Sequence, residues 1–192
     1  RQGGIAIFST SISFHIEEPG LSHQVEALQV PPPEELESDF DRWSRLAKEN
    51  PGVIEPPLVH PIERKHVRPR DYLNPQPQEP QQQIWFRALG DLGDDLTRHQ
   101  TLLAFISDFG LLGSALLPHP YTGMNTDMQA ASLDHALWFH QPFKADDYLL
   151  YCLDSPIAAG ARGFSRGSFY TRDGTLVAST AQESLQRIRT PN

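Results

Sequence analysis

The sequence is poor in cysteine and contains no long apolar run. Its only cysteine among 192 residues is Cys152, so the chain can form neither an internal disulfide nor a zinc site that needs several thiolates. A membrane-spanning helix needs about 18 or more consecutive apolar residues, and no run approaches that length, so we predict no membrane span. A single cysteine also fits a reducing compartment, and a small buried apolar residue is its usual role.

Basic residues are also scarce, with 16 Lys and Arg against 24 Asp and Glu and a net charge of −8. Nonspecific nucleic-acid binding needs a basic surface, so we expect no nucleic-acid partner. A hydrophobic content of 39% is enough for a real core, in one large domain or two small ones. The sequence begins at Arg1 without a methionine or a signal-like segment, so we expect it to continue a longer chain.

Most of the 17 prolines fall between residues 19 and 80, which indicates a connecting segment. Before it, residues 4–17 alternate between apolar and polar side chains, the pattern of a strand with one buried face. Within the proline-rich part, residues 38–49 could form a short helix capped by Ser38. Residues 62–72 could form an edge strand.

The stretch from residue 94 to residue 118 carries the one long helical pattern, with Asp94 as the expected cap. Apolar residues recur there at spacings of three and four, the period of a buried helix face. Gly110 and Gly113 each cost about 1 kcal/mol against alanine inside a helix, so we expect the helix to bend or end there. Asp108 interrupts the apolar face, where an unpaired carboxylate is costly.

Strand patterns dominate the remainder of the chain. They cover residues 83–89, 129–140, 147–153, 160–171 and 175–188. A strong hairpin signal, Arg172-Asp173-Gly174, separates the last two. Consecutive strands with short connections predict an antiparallel sheet, and with one long helix this gives the α+β class.

Three polar residues stand where apolar ones are expected: Asp108 on the helix, Ser132 in the strand at 129–140, and Gln182 on the inward face of the last strand. If a carboxylate, a hydroxyl and an amide converge, they can hold a water molecule and remove its proton. The alternative is that all three are ordinary solvated residues, and periodicity alone favours that alternative.

Gly163-Phe164-Ser165-Arg166-Gly167 matches G-x-S-x-G, the nucleophile elbow of α/β-hydrolases. That elbow requires a strand before the serine and a helix after it. Strand and hairpin signals follow Ser165 here, so an accidental match is the favoured interpretation.

The histidines do not predict a metal site. His135 and His140 are five residues apart in a predicted strand, so they should point to opposite faces and cannot share a metal. Asp95 and His99 are helical neighbours without an evident third ligand. We predict neither a metal nor a cofactor.

Residues 132–140 (SLDHALWFH) with Pro142-Phe143, and Ile106-Ser107-Asp108, resemble signature segments of the acyl-CoA thioesterase II family. The resemblance extends to Ala161-Arg162-Gly163-Phe164 with Arg166-Gly167, to Asp173-Gly174, and to residues 178–183 (ASTAQE). Phe14, Gly20, His23 and Gln24 match the end of the family's first half. These matches cover nearly the whole chain in the right order.

The resemblance implies two hot-dog domains in one chain, each a long helix wrapped by an antiparallel sheet, and hydrolysis of acyl-CoA to free acid and CoA. The family's water-binding Asp, Thr or Ser, and Gln fall on Asp108, Ser132 and Gln182. Because CoA is strongly anionic and the chain is acidic, a local basic patch is needed, and Arg162 and Arg166 are the candidates.

The expected organisation has three parts. Residues 1–30 would hold the last strand of an incomplete N-terminal hot dog, residues 31–60 a proline-rich linker with a short helix, and residues 61–192 the C-terminal hot dog. The strand at 4–17 then needs a partner, either the absent N-terminal portion or another copy in a homo-oligomer. The cytoplasm is the default compartment. The resemblance allows the peroxisome, but Thr190-Pro191-Asn192 is not an S-K-L type signal. A non-catalytic acyl-binding or assembly module is the alternative function, and an esterase using Ser165 is a weaker one.

Overall fold

The computed structural model describes residues 2–122 and 125–189, which contain a seven-stranded antiparallel sheet. The main strand order is β1-β2-β5-β6-β7-β3, and β4 also pairs with β7. The strands are β1 Ile62–His66, β2 Gln81–Ala88, β3 Met128–Ser132, β4 Ala136–Phe139, β5 Leu149–Ala159, β6 Arg162–Thr171 and β7 Leu176–Ile188. The predicted α+β class and antiparallel pairing are confirmed.

The linker helix forms as predicted. Helix α1 covers Asp39–Glu49, and the Ser38 side chain accepts a hydrogen bond from the backbone N–H of Asp41. This bond satisfies one of the first-turn donors that have no partner inside a helix. A single 3₁₀ turn, Pro33–Glu35, precedes it.

The long helical stretch is two helices rather than one, α2 (Leu96–Ile106) and α3 (Leu111–Leu116). The break falls at Gly110, whose φ of 92° is readily available only to glycine. An added Cβ at Gly110 would also lie only 3.3 Å from Ile84 Cδ1. The predicted cap is off by one residue, because Asp95 accepts the hydrogen bond from the Thr97 N–H. No helix among the described residues is both long and apolar enough to cross a membrane.

The strand predicted over residues 129–140 is interrupted. Ser132 pairs with Ser184 and Ala136 pairs with Ala181, so three residues between the first members face only two between the second. This is a β-bulge, which bends a strand and redirects its side chains. The Asp134 carboxylate supports it by accepting the Glu183 N–H at 2.7 Å.

The core lies between the helices and one face of the sheet. Its fully buried members include Leu103, Ile106, Leu111, Tyr151 and Phe169, each at 0% exposure. A smaller cluster on the opposite face of the sheet contains Trp85, Tyr148, Leu150 and Tyr170, against which Ala27 and Val30 pack.

The strand predicted over residues 4–17 does not form. Residues 6–32 contain neither helix nor strand, and among the described residues ahead of them the only pairing is a bridge between Gln2 and Ile5. Phe8 and Phe14 are 80% and 91% exposed. A strand is held by hydrogen bonds to a neighbour, and this segment has no neighbouring strand within the described residues.

Candidate functional site

The helix break and the bulge bring the three out-of-place polar residues together. Ser132 Oγ donates a hydrogen bond to Asp108 Oδ1 at 3.3 Å, and Gln182 Nε2 donates to Ser132 Oγ at 2.9 Å. The three side chains therefore form one continuous hydrogen-bonded row, although their residues are 24 and 50 positions apart in sequence.

The sequence pattern predicted that Asp108 lies inside a helix, but it does not. It occupies the short turn between Ile106 at the end of α2 and Leu111 at the start of α3. This position explains why a carboxylate interrupts an apolar pattern, because the chain leaves the helix there and the side chain is exposed.

Exposure differs along the row. Asp108 and Ser132 are exposed, whereas Gln182 is only 1% exposed. Gln182 lies on the inward face of β7 together with Thr180 and Ser184, both buried. Water can therefore reach the carboxylate and the hydroxyl, while the amide is fixed by the sheet.

His135, which the sequence interpretation considered only as a metal ligand, extends this row. Its Nδ1 lies 2.8 Å from Gln182 Oε1, and its Nε2 lies 2.8 Å from Ser107 Oγ. His140 instead lies beside Ser179, with 2.8 Å between Nε2 and Oγ. Alternation alone does not show that His135 reaches Gln182, because His135 lies in the bulge that precedes β4.

The sheet also fixes the end of α2. Tyr151 Oη donates to the Ser107 carbonyl at 2.8 Å and lies 2.7 Å from Thr180 Oγ1. Burial raises the pKa of the Tyr151 hydroxyl well above its usual range, so it stays protonated and remains a donor. The residue before Asp108 is thus held by a strand in the middle of the sheet.

Arg162 and Arg166 lie on the outer face of β6, away from this row. Arg162 forms an ion pair with Glu183 at 3.1 Å and Arg166 with Asp154 at 2.6 Å. The hydrogen bond to Asp154 raises the pKa of Arg166. Each charge already has a partner, so their role in binding CoA stays a prediction.

Ser165 lies in the middle of β6, with strand on both sides, so it does not occupy an elbow between strand and helix. It is 1% exposed, and its Oγ has no hydrogen-bond partner among the described residues. A buried hydroxyl without an adjacent base lacks the activation that a serine nucleophile requires.

The other proposed pairs have structural roles. Asp95 caps α2, and His99 is 1% exposed, with Nε2 near the Gly93 carbonyl and Nδ1 accepting the Ala145 N–H. Cys152 is partly buried, and burial raises the pKa of its thiol to about 11. In the described ranges no group of three or more His, Cys, Asp or Glu side chains is placed to hold a metal ion.

Comparison with known proteins agrees with this fold. The family model described as acyl-CoA thioesterase matches residues 59–185, and the chain therefore belongs to the acyl-CoA thioesterase family. Human acyl-coenzyme A thioesterase 8 is 39% identical over 198 residues, which cover 98% of this chain and 61% of that protein. Acyl-CoA thioesterase 2 of Haemophilus influenzae is 31% identical and is covered over 64% of its length, with 95% of this chain aligned.

Solved structures give the same result. Acyl-CoA thioesterase II TesB2 from Mycobacterium marinum has a TM-score of 0.69 at 38% identity, over 91% of this chain and 60% of that one. A hot-dog protein from Alicyclobacillus acidocaldarius, at 15% identity, has a TM-score of 0.62 over 91% of this chain and 60% of that chain, and shows the fold alone. The predicted hot-dog fold and family resemblance are confirmed. The chain spans 61% and 64% of the two curated relatives described above.

Proposed function

We propose that this protein hydrolyses acyl-CoA thioesters to free fatty acid and CoA, using a water molecule held by Asp108, Ser132 and Gln182. The observation that carries the proposal is the hydrogen-bonded row from buried Gln182 through Ser132 to an exposed carboxylate. Family membership supports the choice of an acyl-CoA substrate. No cofactor is required, because thioester hydrolysis needs only an activated water and a polarised carbonyl.

Each residue of the row has a distinct task in this mechanism. The Ser132 hydroxyl donates a hydrogen bond to Oδ1 of Asp108. The other carboxylate oxygen, Oδ2, is then available to take a proton from the attacking water. The water oxygen bonds to the acyl carbon, the tetrahedral intermediate collapses, and the carbon–sulfur bond breaks. The leaving sulfur takes the proton from Asp108, so CoA departs as the thiol and the carboxylate is restored. A backbone N–H near the helix is the candidate to stabilise the carbonyl oxygen.

The organisation of the whole protein is also part of the proposal. Residues 1–30 would complete an N-terminal hot dog, residues 31–60 would link the two units, and residues 61–192 would form the catalytic one. The exposed apolar side chains of residues 5–16 would pair with that N-terminal portion or with another copy in a homo-oligomer. A cytoplasmic location stays a prediction.

The test compares Asp108→Asn with Ser165→Ala in the complete natural protein, over a series of acyl-CoA chain lengths. The amide in Asp108→Asn keeps the shape but cannot take a proton, so kcat should fall by about 10²–10⁴-fold while the melting temperature is retained. Ser165→Ala removes a buried hydroxyl that has no hydrogen-bond partner, so kcat should stay close to parental.

Three other outcomes would contradict the proposal. Near-parental activity of Asp108→Asn would show that Asp108 does not take the proton from the attacking water. Loss of activity in Ser165→Ala would favour the serine esterase. A parental protein that binds acyl-CoA without hydrolysing any chain length would favour the non-catalytic module.

A further inference from the structure

We infer that His135 is a positioning residue: with its proton on Nδ1, it holds the Gln182 amide in the orientation that makes Ser132 donate to Asp108. This inference rests on the proposed function for its kinetic consequence, but not for its structural content. Its basis is a run of four contacts of 3.3 Å or less that joins Asp108, Ser132, Gln182, His135 and Ser107.

The direction of every hydrogen bond follows from the carboxylate. An ionised Asp108 has no proton, so Ser132 must use its single hydroxyl proton to bond Oδ1. Ser132 can then only accept from Gln182, which places the amide nitrogen toward Ser132 and the amide oxygen toward His135. An amide oxygen cannot donate, so the proton between them belongs to Nδ1 of His135.

The Ser107 end can adapt to both charge states of the ring. Ser107 Oγ lies 2.8 Å from His135 Nε2 and 2.8 Å from the Ala104 carbonyl oxygen. With a neutral ring, the Ser107 proton bonds the bare Nε2. With a protonated ring, Nε2 donates to Ser107 and the serine proton turns to Ala104. In both states Nδ1 keeps its proton, so the orientation of Gln182 is preserved.

The competing arrangement is defined equally well. If the Gln182 amide turned over, its oxygen would face Ser132 and would accept the Ser132 proton. Asp108 would then lose its donor, and two oxygen atoms without a proton between them would stand 3.3 Å apart. The imidazole would need the opposite tautomer, with the proton on Nε2 directed at Ser107. The position of one proton on His135 therefore distinguishes the two arrangements.

The first measurement is ¹⁵N NMR of the histidine-labelled protein at about pH 8.5, where an ordinary imidazole is neutral. The His135 signals, identified by their loss in His135→Phe, should show a protonated Nδ1 and a bare Nε2. His99 is an internal control of the opposite tautomer, because its Nδ1 accepts the Ala145 N–H at 3.0 Å. A His135 ring with a bare Nδ1 would overturn the inference, whether or not the protein is an enzyme.

The second measurement compares His135→Asn with His135→Phe. Asparagine can place an N–H near the position of Nδ1 but loses much of the ring volume. Phenylalanine keeps the volume and loses the donor. A positioning role predicts that His135→Phe lowers kcat by about 10- to 100-fold at similar KM, the usual cost of losing a supporting hydrogen bond, with His135→Asn closer to parental.

A merely structural role, in which the ring only packs beside the row, predicts the opposite order, because phenylalanine keeps the ring and asparagine loses it. That order, or parental kcat in both variants, would overturn the inference. Failure of the proposed function has a different signature, since Asp108→Asn would then retain activity while the His135 tautomer stayed as inferred.

Discussion

Two segments with alternating side chains differ in solvent exposure in this molecule. Residues 4–17 present Phe8, Ile12 and Phe14 on one side, yet these side chains are 69–91% exposed. Strand β7 presents polar Thr180, Gln182 and Ser184 on its inward face, and these are 1–3% exposed. The more apolar segment is in water and the more polar one is buried.

The difference is explained by neighbours rather than by hydrophobicity. Strand β7 pairs with β6 along one edge and with β3 and β4 along the other, so its backbone groups have partners on both sides. Residues 4–17 have no such strand beside them in the part of the chain that the structure describes. Burial of Gln182 therefore depends on a strand that is hydrogen-bonded on both edges. Gln182 lies on β7 between the residues that pair with β3 and those that pair with β4.

The largest expected effect comes from making the same substitution in both regions. Phe169 is fully buried and stacks on Tyr151 with ring centroids 3.7 Å apart. Phe169→Ala should lower the free energy of unfolding by about 3–5 kcal/mol. Phe14→Ala should change it by no more than about 0.5 kcal/mol, since an exposed side chain loses little. Urea unfolding of both variants measures the difference.

That contrast would be broken if Phe14→Ala destabilised the protein as much as Phe169→Ala does. Such a result would mean that a second copy of this chain buries the segment in solution, since pairing with an N-terminal portion requires that portion to be present. Light scattering of the parental chain and of Phe14→Ala would then separate the effect of association from that of folding.

The second prediction divides the N-terminal segment itself. The Gln24 amide donates to the Gly174 carbonyl at 2.8 Å and accepts the Leu176 N–H at 3.0 Å. Ala27 packs against the smaller cluster, the one that contains Trp85. Removal of residues 1–18 should therefore leave the melting temperature nearly unchanged. Removal of residues 1–30 should lower it, because each of the two hydrogen bonds contributes about 0.5–1.5 kcal/mol.

Cys152 reports on the same boundary. Burial raises the pKa of its thiol to about 11, and the thiol has a backbone hydrogen-bond partner at Leu28. Alkylation by iodoacetamide at about pH 8 should be slow in the parental chain and after removal of residues 1–18. It should be faster after removal of residues 1–30. Equal rates in all three proteins would show that residues 19–30 do not cover this face.

The smallest expected effect comes from substituting Arg166 on the exposed outer face of β6. The Arg166 side chain is 58% exposed and bonded to Asp154, so its contribution to stability is small. If it binds the anionic part of CoA, KM should rise with salt in the parental protein, and Arg166→Ala should reduce that rise. The matched variant Asp154→Asn frees the arginine and should lower KM. A KM that ignores ionic strength would exclude Arg166 from substrate binding.

Much of the fold was accessible from the sequence because it depends on local chemistry. Ser38 caps its helix, the Arg172-Asp173-Gly174 hairpin forms between β6 and β7, and the helical stretch breaks at Gly110. The bulge before Ala136 was not accessible, because it is set by register against β7 and not by alternation. The prediction of a strand at residues 4–17 was wrong for a related reason, since an alternating pattern does not show whether a neighbouring strand is present to pair with it.

The site divides in the same way. Asp108, Ser132 and Gln182 each broke an apolar or alternating pattern, and the structure brings all three into contact. His135 broke no pattern, so only the bulge reveals that it reaches Gln182. The exposed position of Asp108 in a turn was likewise set by the packing of α2 and α3, not by the composition around it.

The central claim is that Asp108 activates water and is not itself acylated, and a single-turnover reaction in ¹⁸O-labelled water tests it most directly. Enzyme in excess over acyl-CoA should release a fatty acid that contains one ¹⁸O atom in the first turnover, with no mass gain in the peptide that carries Asp108. If the Asp108 carboxylate attacked the thioester instead and water then opened the mixed anhydride at the Asp108 carbon, the first fatty acid would carry an unlabelled oxygen from the protein. The ¹⁸O would then appear in Asp108, and that result would contradict the account.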